Sequence, residues 1–174
     1  MNVMIDVETM GVRSNAAIIA IGAVKFDKSS ISPDTFYRVI DLQSCMDAGL
    51  TVDASTILWW MKQSKEAREE FTSNLVPVYS LTMVLQEFMS WLSFFGDIEA
   101  IWGNGANFDN VILASACQAV GIEPWDFWQD RCYRTAKSCY PELDYKFEGT
   151  PHNALDDATS QAKHLIKLWS LNEH

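Results

Sequence analysis

The sequence has few basic side chains. Thirteen Lys and Arg residues stand against 23 Asp and Glu residues, so the formal net charge is −10 and the pI is near 4.6. A protein that binds nucleic acid by neutralising many phosphates needs a basic surface, and that mode of binding is excluded for the chain as a whole. If a phosphate binds here, it binds locally, and divalent cations are the groups that supply local positive charge in such a site.

Metal-ligand cysteine spacing and long apolar runs are also missing. The four cysteines form no CxxC pair and have no histidine at zinc-finger spacing, so neither structural zinc nor a disulfide framework is predicted. No apolar run approaches the roughly 20 residues of a membrane span. The N-terminal segment MNVMIDVETMG lacks the basic start and longer apolar stretch of a signal peptide. We therefore expect a cytoplasmic protein without a membrane partner.

The remaining composition is that of a globular protein. The chain has 174 residues, of which 48% are hydrophobic and 21% charged. It contains no repeat, low-complexity tract or linker. This length suffices for one sizeable core and is short for two ordinary domains, so residues 1–174 are predicted to form a single domain.

Strand patterns come first and helical patterns follow. Apolar, β-branched runs predict strands at Val3–Val7, Ala16–Phe26 and Thr35–Ile40, joined as an antiparallel meander. Short strands are expected at 100–102 and, at the sheet edge, 125–132. Helices are predicted at 57–71, 81–95, 107–120 and 155–171, the second and third ending at Gly96 and Gly121. The pattern predicts an α/β domain with a mixed central sheet flanked by helices.

Asp6 and Glu8 are two residues apart on the first predicted strand, so their side chains project from one face. Two adjacent carboxylates repel each other, and oxygen ligands suit hard cations such as Mg²⁺ or Mn²⁺. Alternatively, the pair lies on a solvated strand face. A D-x-E pattern alone does not decide between the two.

Three further polar residues stand at the starts of predicted helices. Asp109 follows the glycine-containing turn GNGANF, where it either binds a ligand or only complements the helix dipole. His152 precedes Asp157 by five residues in PHNALDDA. An imidazole there can reach water held by a metal and act as a general base, or it can serve as a capping or packing residue.

The three motifs together, D-x-E, N-F-D and H-x-A-x-x-D-A, resemble the DEDDh group of 3′–5′ exonucleases, which has a ribonuclease H-like fold. The resemblance covers nearly the whole chain and is strongest to small phage- and prophage-type exonucleases and the related 3′–5′ exoribonuclease-like domain. It implies that Asp6, Glu8, Asp109 and Asp157 bind two Mg²⁺ ions, with Mn²⁺ able to substitute, and that His152 is the general base. Asp156 is out of register with the motif and is expected to be a bystander.

The resemblance also implies the reaction and the substrate. A two-metal mechanism would hydrolyse phosphodiesters from the 3′ end of single-stranded nucleic acid and release nucleoside 5′-monophosphates. Phe108 is a candidate platform for base stacking, and Met10 is a candidate apolar wedge. Thr9 and Asn107, beside them in the motifs, are further candidate substrate-binding residues.

Several alternatives stay open on the sequence. DNA is favoured over RNA because the look-alikes include phage DNA exonucleases, yet no residue can be assigned to the 2′-OH that distinguishes the two. The adjacent Trp59 and Trp60 point about 100° apart, so at most one can face the core fully on a narrow apolar stripe. Core packing is expected for at least one of them. Arg131 and Arg134 either contact phosphate or lie on a solvated face.

The rival functions are a non-catalytic nucleic-acid-binding module, a phosphatase for small phosphoesters and a purely structural protein. None of these explains the full set of acids as well as an exonuclease does. We further expect a bacterial or phage-infected cytoplasm as the location, and a homodimer is a candidate assembly by analogy with relatives.

Overall fold

A computed structural model describes residues 1–72, 76–94 and 96–171. One mixed sheet of six strands runs through it in the order β4-β3-β2-β1-β5-β6. The strands are β1 (Asn2–Thr9), β2 (Ile18–Phe26), β3 (Ile31–Ile40), β4 (Val78–Tyr79), β5 (Ala100–Gly103) and β6 (Asp130–Cys132). β1, β2 and β3 pair antiparallel, which confirms the predicted meander, while β5 joins β1 in parallel and β6 joins β5 in parallel.

Seven α-helices are formed by the described residues. They are α1 (Leu42–Asp47), α2 (Ala54–Trp60), α3 (Lys65–Thr72), α4 (Leu81–Ser93), α5 (Asp109–Ala119), α6 (Tyr133–Ser138) and α7 (Ala154–Ser170). The mixed sheet with flanking helices is the α/β architecture that the sequence predicted. None of the helices within the described part of the chain is long and apolar enough to span a bilayer.

Some predicted boundaries were wrong, for local reasons. The predicted helix 57–71 is two helices, because Ser64 accepts a hydrogen bond from the Ala67 amide through its Oγ atom and starts α3 anew. The helix predicted from residue 107 begins at Asp109, since Phe108 has a non-helical backbone. Residues 125–132 include a 3₁₀ turn before the three-residue β6. The predicted helix 81–95 ends at Ser93, and residue 95 lies outside the described residues.

The short elements α1, β4 and α6 were not predicted at all. Each has between two and six residues, too few for an apolar period to be read from the sequence. α1 forms because Asp41 accepts hydrogen bonds from the Gln43 and Ser44 amides at its N-terminus. Of these three elements, α6 is the one that concerns the candidate active site, and it follows directly after β6.

The two faces of β1 have different partners. Val3, Ile5 and Val7 belong to the larger hydrophobic cluster, which includes residues of α4 and α5, whereas Met4 belongs to the smaller cluster formed with α6 and α7. Because side chains alternate along a strand, Asp6 and Glu8 project from the Met4 face. The sheet thus presents both carboxylates on the face that α7 covers.

Gly22 allows α7 to begin very close to the sheet. It pairs with Asp6 across the β1–β2 ladder. A Cβ atom at this position would lie 2.2 Å from the backbone carbon of Ala154, the first residue of α7. Only glycine fits such a close approach of two backbones. This contact brings the N-terminus of α7, and with it Asp157, next to Asp6.

Candidate active site

A cavity lies where the parallel strands β1, β5 and β6 end. In open α/β sheets ligands bind outside the carboxyl ends of the strands, and this cavity occupies that place. Its lining includes all five residues that the sequence predicted to be catalytic, namely Asp6, Glu8, Asp109, His152 and Asp157. They come from β1, from the start of α5 and from the loop and first turns of α7. The fold therefore joins residues that are far apart in the chain.

Three of the carboxylates form a compact cluster. One oxygen from each of Asp6, Glu8 and Asp157 lies within 4.8 Å of the other two. Carboxylate oxygens at this spacing are suitable ligands for Mg²⁺ or Mn²⁺, which prefer oxygen donors. The cluster fits a divalent cation both by its geometry and by its chemistry.

Burial disfavours the ionised form of these carboxylates when no cation is bound. Asp6 is only 9% exposed. Burial raises its pKa well above the usual value, and the charges of Asp109, Glu8 and Asp157 raise the pKa further. A bound divalent cation would reverse this effect, because its charge favours the ionised carboxylates.

Both carboxylate oxygens of Asp109 are bound by backbone amides. It is 2% exposed, and its two carboxylate oxygens accept hydrogen bonds from the amides of Val7 (3.2 Å) and Asn104 (2.7 Å). Burial raises the pKa of Asp109 to about 6, although these two hydrogen bonds and the charge of Arg134 lower it. The hydrogen bonds orient the carboxylate between β1 and the β5–α5 turn.

Asp157 helps to set the position of His152. The Asp157 Oδ2 atom accepts a hydrogen bond from the His152 amide at 3.0 Å, and His152 adopts the left-handed backbone conformation with a φ of 66°. Burial raises the pKa of Asp157, and this hydrogen bond lowers it. The bond ties the candidate base directly to a candidate metal ligand.

Two tryptophans of α2 pack against the His152 ring. Its centroid lies 5.0 Å from that of Trp59 and 6.0 Å from that of Trp60, both edge-to-face. Trp60 is buried and its Nε1–H donates to the Thr9 carbonyl at 2.9 Å, whereas Trp59 is 43% exposed. The prediction that at least one tryptophan packs in the core is confirmed, and the other forms part of the cavity wall.

The four candidate substrate-binding residues divide into two pairs. Thr9 and Phe108 line the cavity. Met10 is 8% exposed and packs in the larger hydrophobic cluster, so its side chain is not placed as a wedge. Asn107 is exposed in the turn before α5, outside the cavity lining. Met10 lies beyond the end of β1 and after an irregularity in the β1–β2 pairing between Glu8 and Thr9, so the alternation that places Asp6 and Glu8 on one face does not extend to it.

Asp156 points away from the carboxylate cluster. Its Oδ2 atom accepts a hydrogen bond from the Thr150 amide at 2.8 Å and lies against Gly149. Adjacent residues on a helix point about 100° apart, so only one of this acidic pair can face the cavity. Asp156 thus supports the loop before α7.

Gln161 is a residue that the sequence analysis missed. It is 1% exposed, and its Nε2 atom donates a hydrogen bond of 2.9 Å to Asp6 Oδ1. Its own Oε1 atom is buried without a hydrogen-bond partner among the described residues. The available signal was its spacing, because it lies four residues after Asp157 and therefore on the same face of the helix. The contact therefore orients the Asp6 carboxylate from the α7 side.

We predict that Gln161→Leu weakens the apparent affinity for Mg²⁺ by about 10- to 100-fold, the usual loss when a residue that orients a metal ligand is removed. Asp6 would lose the donor that orients it. The measurement is the Mg²⁺ dependence of activity. Gln118→Leu, at an exposed position of α5, is the matched control and should leave this dependence unchanged. An unaltered Mg²⁺ requirement in folded Gln161→Leu would contradict the prediction.

The comparison with known families agrees with this geometry. Residues 1–169 match the family model described as the 3′–5′ exoribonuclease Rv2179c-like domain. The chain belongs to this family. It is a DEDDh-type 3′–5′ exonuclease of the ribonuclease H-like superfamily, as the three sequence motifs predicted. The chain is also 26% identical to the exodeoxyribonuclease of Enterobacteria phage T4 over 156 residues, which cover 76% of this chain and 68% of the phage protein.

Solved structures share the fold of this family member. The nuclease domain of 3′hExo, a DEDDh family member bound to rAMP, is 14% identical with a TM-score of 0.62, covering 97% of this chain and 90% of that one. Exonuclease X in complex with 5′ overhanging duplex DNA is 16% identical with a TM-score of 0.61, covering 100% and 94%. S. pombe Pop2p in its Mg²⁺- and Mn²⁺-bound form is 14% identical with a TM-score of 0.64, covering 97% and 82%. The ribonuclease H-like fold is therefore confirmed.

Proposed function

We propose that this exonuclease removes nucleotides from the 3′ end of single-stranded nucleic acid by hydrolysis and releases nucleoside 5′-monophosphates. The observation that carries the proposal is the cluster of Asp6, Glu8 and Asp157 oxygens, with Asp109 and His152 in the same cavity. Such a cluster of partly buried acids is suited to holding cations against a phosphate. A phosphatase or a non-catalytic module would share the acids, but neither accounts for the match to an exonuclease family over residues 1–169.

Each residue of the site has a role in this proposal. Asp6, Glu8, Asp109 and Asp157 hold two divalent ions, Mg²⁺ or Mn²⁺. Bound there, the ions supply Lewis acidity and neutralise the charge that develops on the phosphate. His152 accepts the proton of the attacking water, while Asp157 holds its backbone amide and Trp59 packs against its ring. Thr9 and Phe108 line the space that remains for the terminal nucleotide.

The raised carboxyl pKa values predict a pH dependence of Mg²⁺ binding. A carboxyl group whose pKa is higher in the folded state contributes stability below its unfolded pKa and loses it as the pH rises through its folded pKa. Burial places the folded pKa of Asp109 at about 6. We therefore expect this group to destabilise the metal-free protein as the pH rises from about 4 to about 6.

Mg²⁺ should counteract that loss, because metal ligands must be deprotonated. The increase in melting temperature on adding Mg²⁺ should be larger near pH 7 than near pH 5. Thermal unfolding with and without Mg²⁺ at both pH values measures this increase in melting temperature. Asp109→Asn should reduce the difference between the two pH values, and an equal Mg²⁺ effect at both in the wild-type protein would contradict the prediction.

The identity of the sugar is proposed as deoxyribose, with RNA as the second candidate. The exodeoxyribonuclease of phage T4 supports DNA, whereas the description of the matched family as an exoribonuclease domain supports RNA. Matched DNA and RNA oligonucleotides of one sequence, digested under identical Mg²⁺ and Mn²⁺ conditions, test this proposal. A higher kcat/KM on DNA is the expected result. A clearly higher kcat/KM on RNA would identify RNA as the substrate instead.

Cytoplasmic location and assembly as a homodimer stay predictions. A single domain spanning residues 1–174 also stays a prediction. Size-exclusion chromatography with light scattering tests the homodimer, and a monomer at enzymatic concentrations would contradict it.

A further inference from the structure

Cations are scarce in the cavity, although the proposed substrate is a polyanion. Arg134 is the only Lys or Arg among the described residues that line it. The carboxylates that line the same cavity hold metal rather than substrate in the proposed mechanism, so a single side chain provides the fixed positive charge. The chain as a whole carries a net charge of −10, which leaves this residue without the support of a basic surface.

The Arg134 side chain is available to a ligand. It is exposed, and it makes no hydrogen bond or ion pair with any residue that the structure describes. Arg131, three residues earlier, is different, because its Nη1 atom donates to the carbonyls of Trp128 (2.7 Å) and Asp130 (2.8 Å). Arg38 is also engaged, through Glu87 at 2.8 Å. The guanidinium that lines the candidate active site is thus not bound directly by a described residue, although its charge acts on Asp109.

The position of Arg134 follows from how α6 is anchored. Tyr133, the first residue of α6, is 2% exposed, and its hydroxyl lies 2.7 Å from Nδ1 of His164 on α7. Adjacent helical residues point about 100° apart, so anchoring Tyr133 against α7 turns Arg134 away from that contact. β6 ends at Cys132 beside β5, at the end of the sheet where the cavity opens. The placement is therefore set by buried contacts.

We propose that Arg134 is the phosphate-binding side chain of this exonuclease, with its guanidinium donating to nonbridging oxygens of a backbone phosphate of the substrate strand. The proposal rests on the proposed function and names a residue that determines how the substrate is held. Guanidinium groups suit phosphate because their N–H donors match its oxygens in a bidentate arrangement. One such contact gives binding a weak salt dependence, with a slope of about −0.7 in log K against log salt for a single strand.

The test compares Arg134→Gln with Arg131→Gln on a 5′-labelled single-stranded oligonucleotide at saturating Mg²⁺. Between about 50 and 200 mM salt, wild-type kcat/KM should fall roughly threefold. Arg134→Gln should raise KM roughly tenfold or more, as expected for losing one charge-assisted contact, and should remove most of the salt dependence. Arg134→Lys should recover part of the wild-type KM and part of the salt dependence. Arg131→Gln should behave as wild type.

Binding without turnover separates this proposal from the proposed function. Fluorescence anisotropy of the same oligonucleotide with His152→Asn, alone and combined with Arg134→Gln, measures affinity when cleavage is slow. A roughly tenfold weaker affinity in the double variant supports the role of Arg134 even if the wild-type protein proves not to cleave. Unchanged KM, affinity and salt dependence in a folded Arg134→Gln protein would overturn it, and the exonuclease function would stand if digestion persisted.

Discussion

Replacing Asp157 with Asn should lower kcat/KM for Mg²⁺-dependent digestion by about a thousandfold or more. The substitution removes one of the three carboxylate oxygens that lie within 4.8 Å of one another. Metal ions contribute several kcal/mol to stabilising charge in a transition state, and each 1.36 kcal/mol corresponds to a factor of ten in rate. The amide keeps an oxygen that can accept the His152 N–H, so the loss reports the carboxylate charge rather than the loop.

The neighbouring Asp156→Asn provides a matched control for this variant. Its amide oxygen can still accept the hydrogen bond from the Thr150 amide, and its side chain lies outside the carboxylate cluster. Steady-state kinetics on one labelled oligonucleotide should show activity near wild type for Asp156→Asn. If Asp157→Asn and Asp156→Asn retain similar activity, the assignment of Asp157 to the metal site is wrong.

His152→Asn should lower kcat by about 10²- to 10⁴-fold, the range that general-base catalysis contributes. Asn is chosen because His152 has a φ of 66°, and Asn tolerates the left-handed conformation better than most residues. The backbone N–H that donates to Asp157 is kept, so the carboxylate cluster should stay in place. Single-turnover kinetics with saturating enzyme isolates the chemical step from binding and product release.

Two observations make the His152 result specific. The Mg²⁺-induced rise in melting temperature should be unchanged in His152→Asn, because the four acids are intact. Trp59→Phe keeps an aromatic ring beside the His152 imidazole, whose centroid lies 5.0 Å from that of the Trp59 ring. This variant should lose much less activity than His152→Asn. A His152→Asn protein that cleaves within twofold of wild type in a single turnover would exclude the histidine as the base.

The sequence predicted those parts of the site that lie in local patterns. Asp6 and Glu8 could be placed on one strand face because strand alternation is a local property. His152 and Asp157 could be placed at a helix start because capping patterns are local too. The ordered motifs then predicted that these segments meet in space, and the cavity confirms that they do.

Residues positioned by contacts distant in sequence could not be predicted. Gln161 reaches Asp6 across 155 residues of chain, and α6, which carries Arg134, is too short to show a period. Met10 was assigned to the substrate because it follows the first motif, yet it packs in the core. What decided its placement was the direction of the chain after β1, which no motif encodes.

Cleavage from the 3′ end at this carboxylate site can be tested by digesting a 5′-labelled single-stranded oligonucleotide in the presence of Mg²⁺. We expect a ladder of products that shortens progressively from the 3′ end, nucleoside 5′-monophosphates as the released species, and no ladder with Asp157→Asn. Internal cleavage products, release of inorganic phosphate alone, or an undiminished ladder from Asp157→Asn would contradict it.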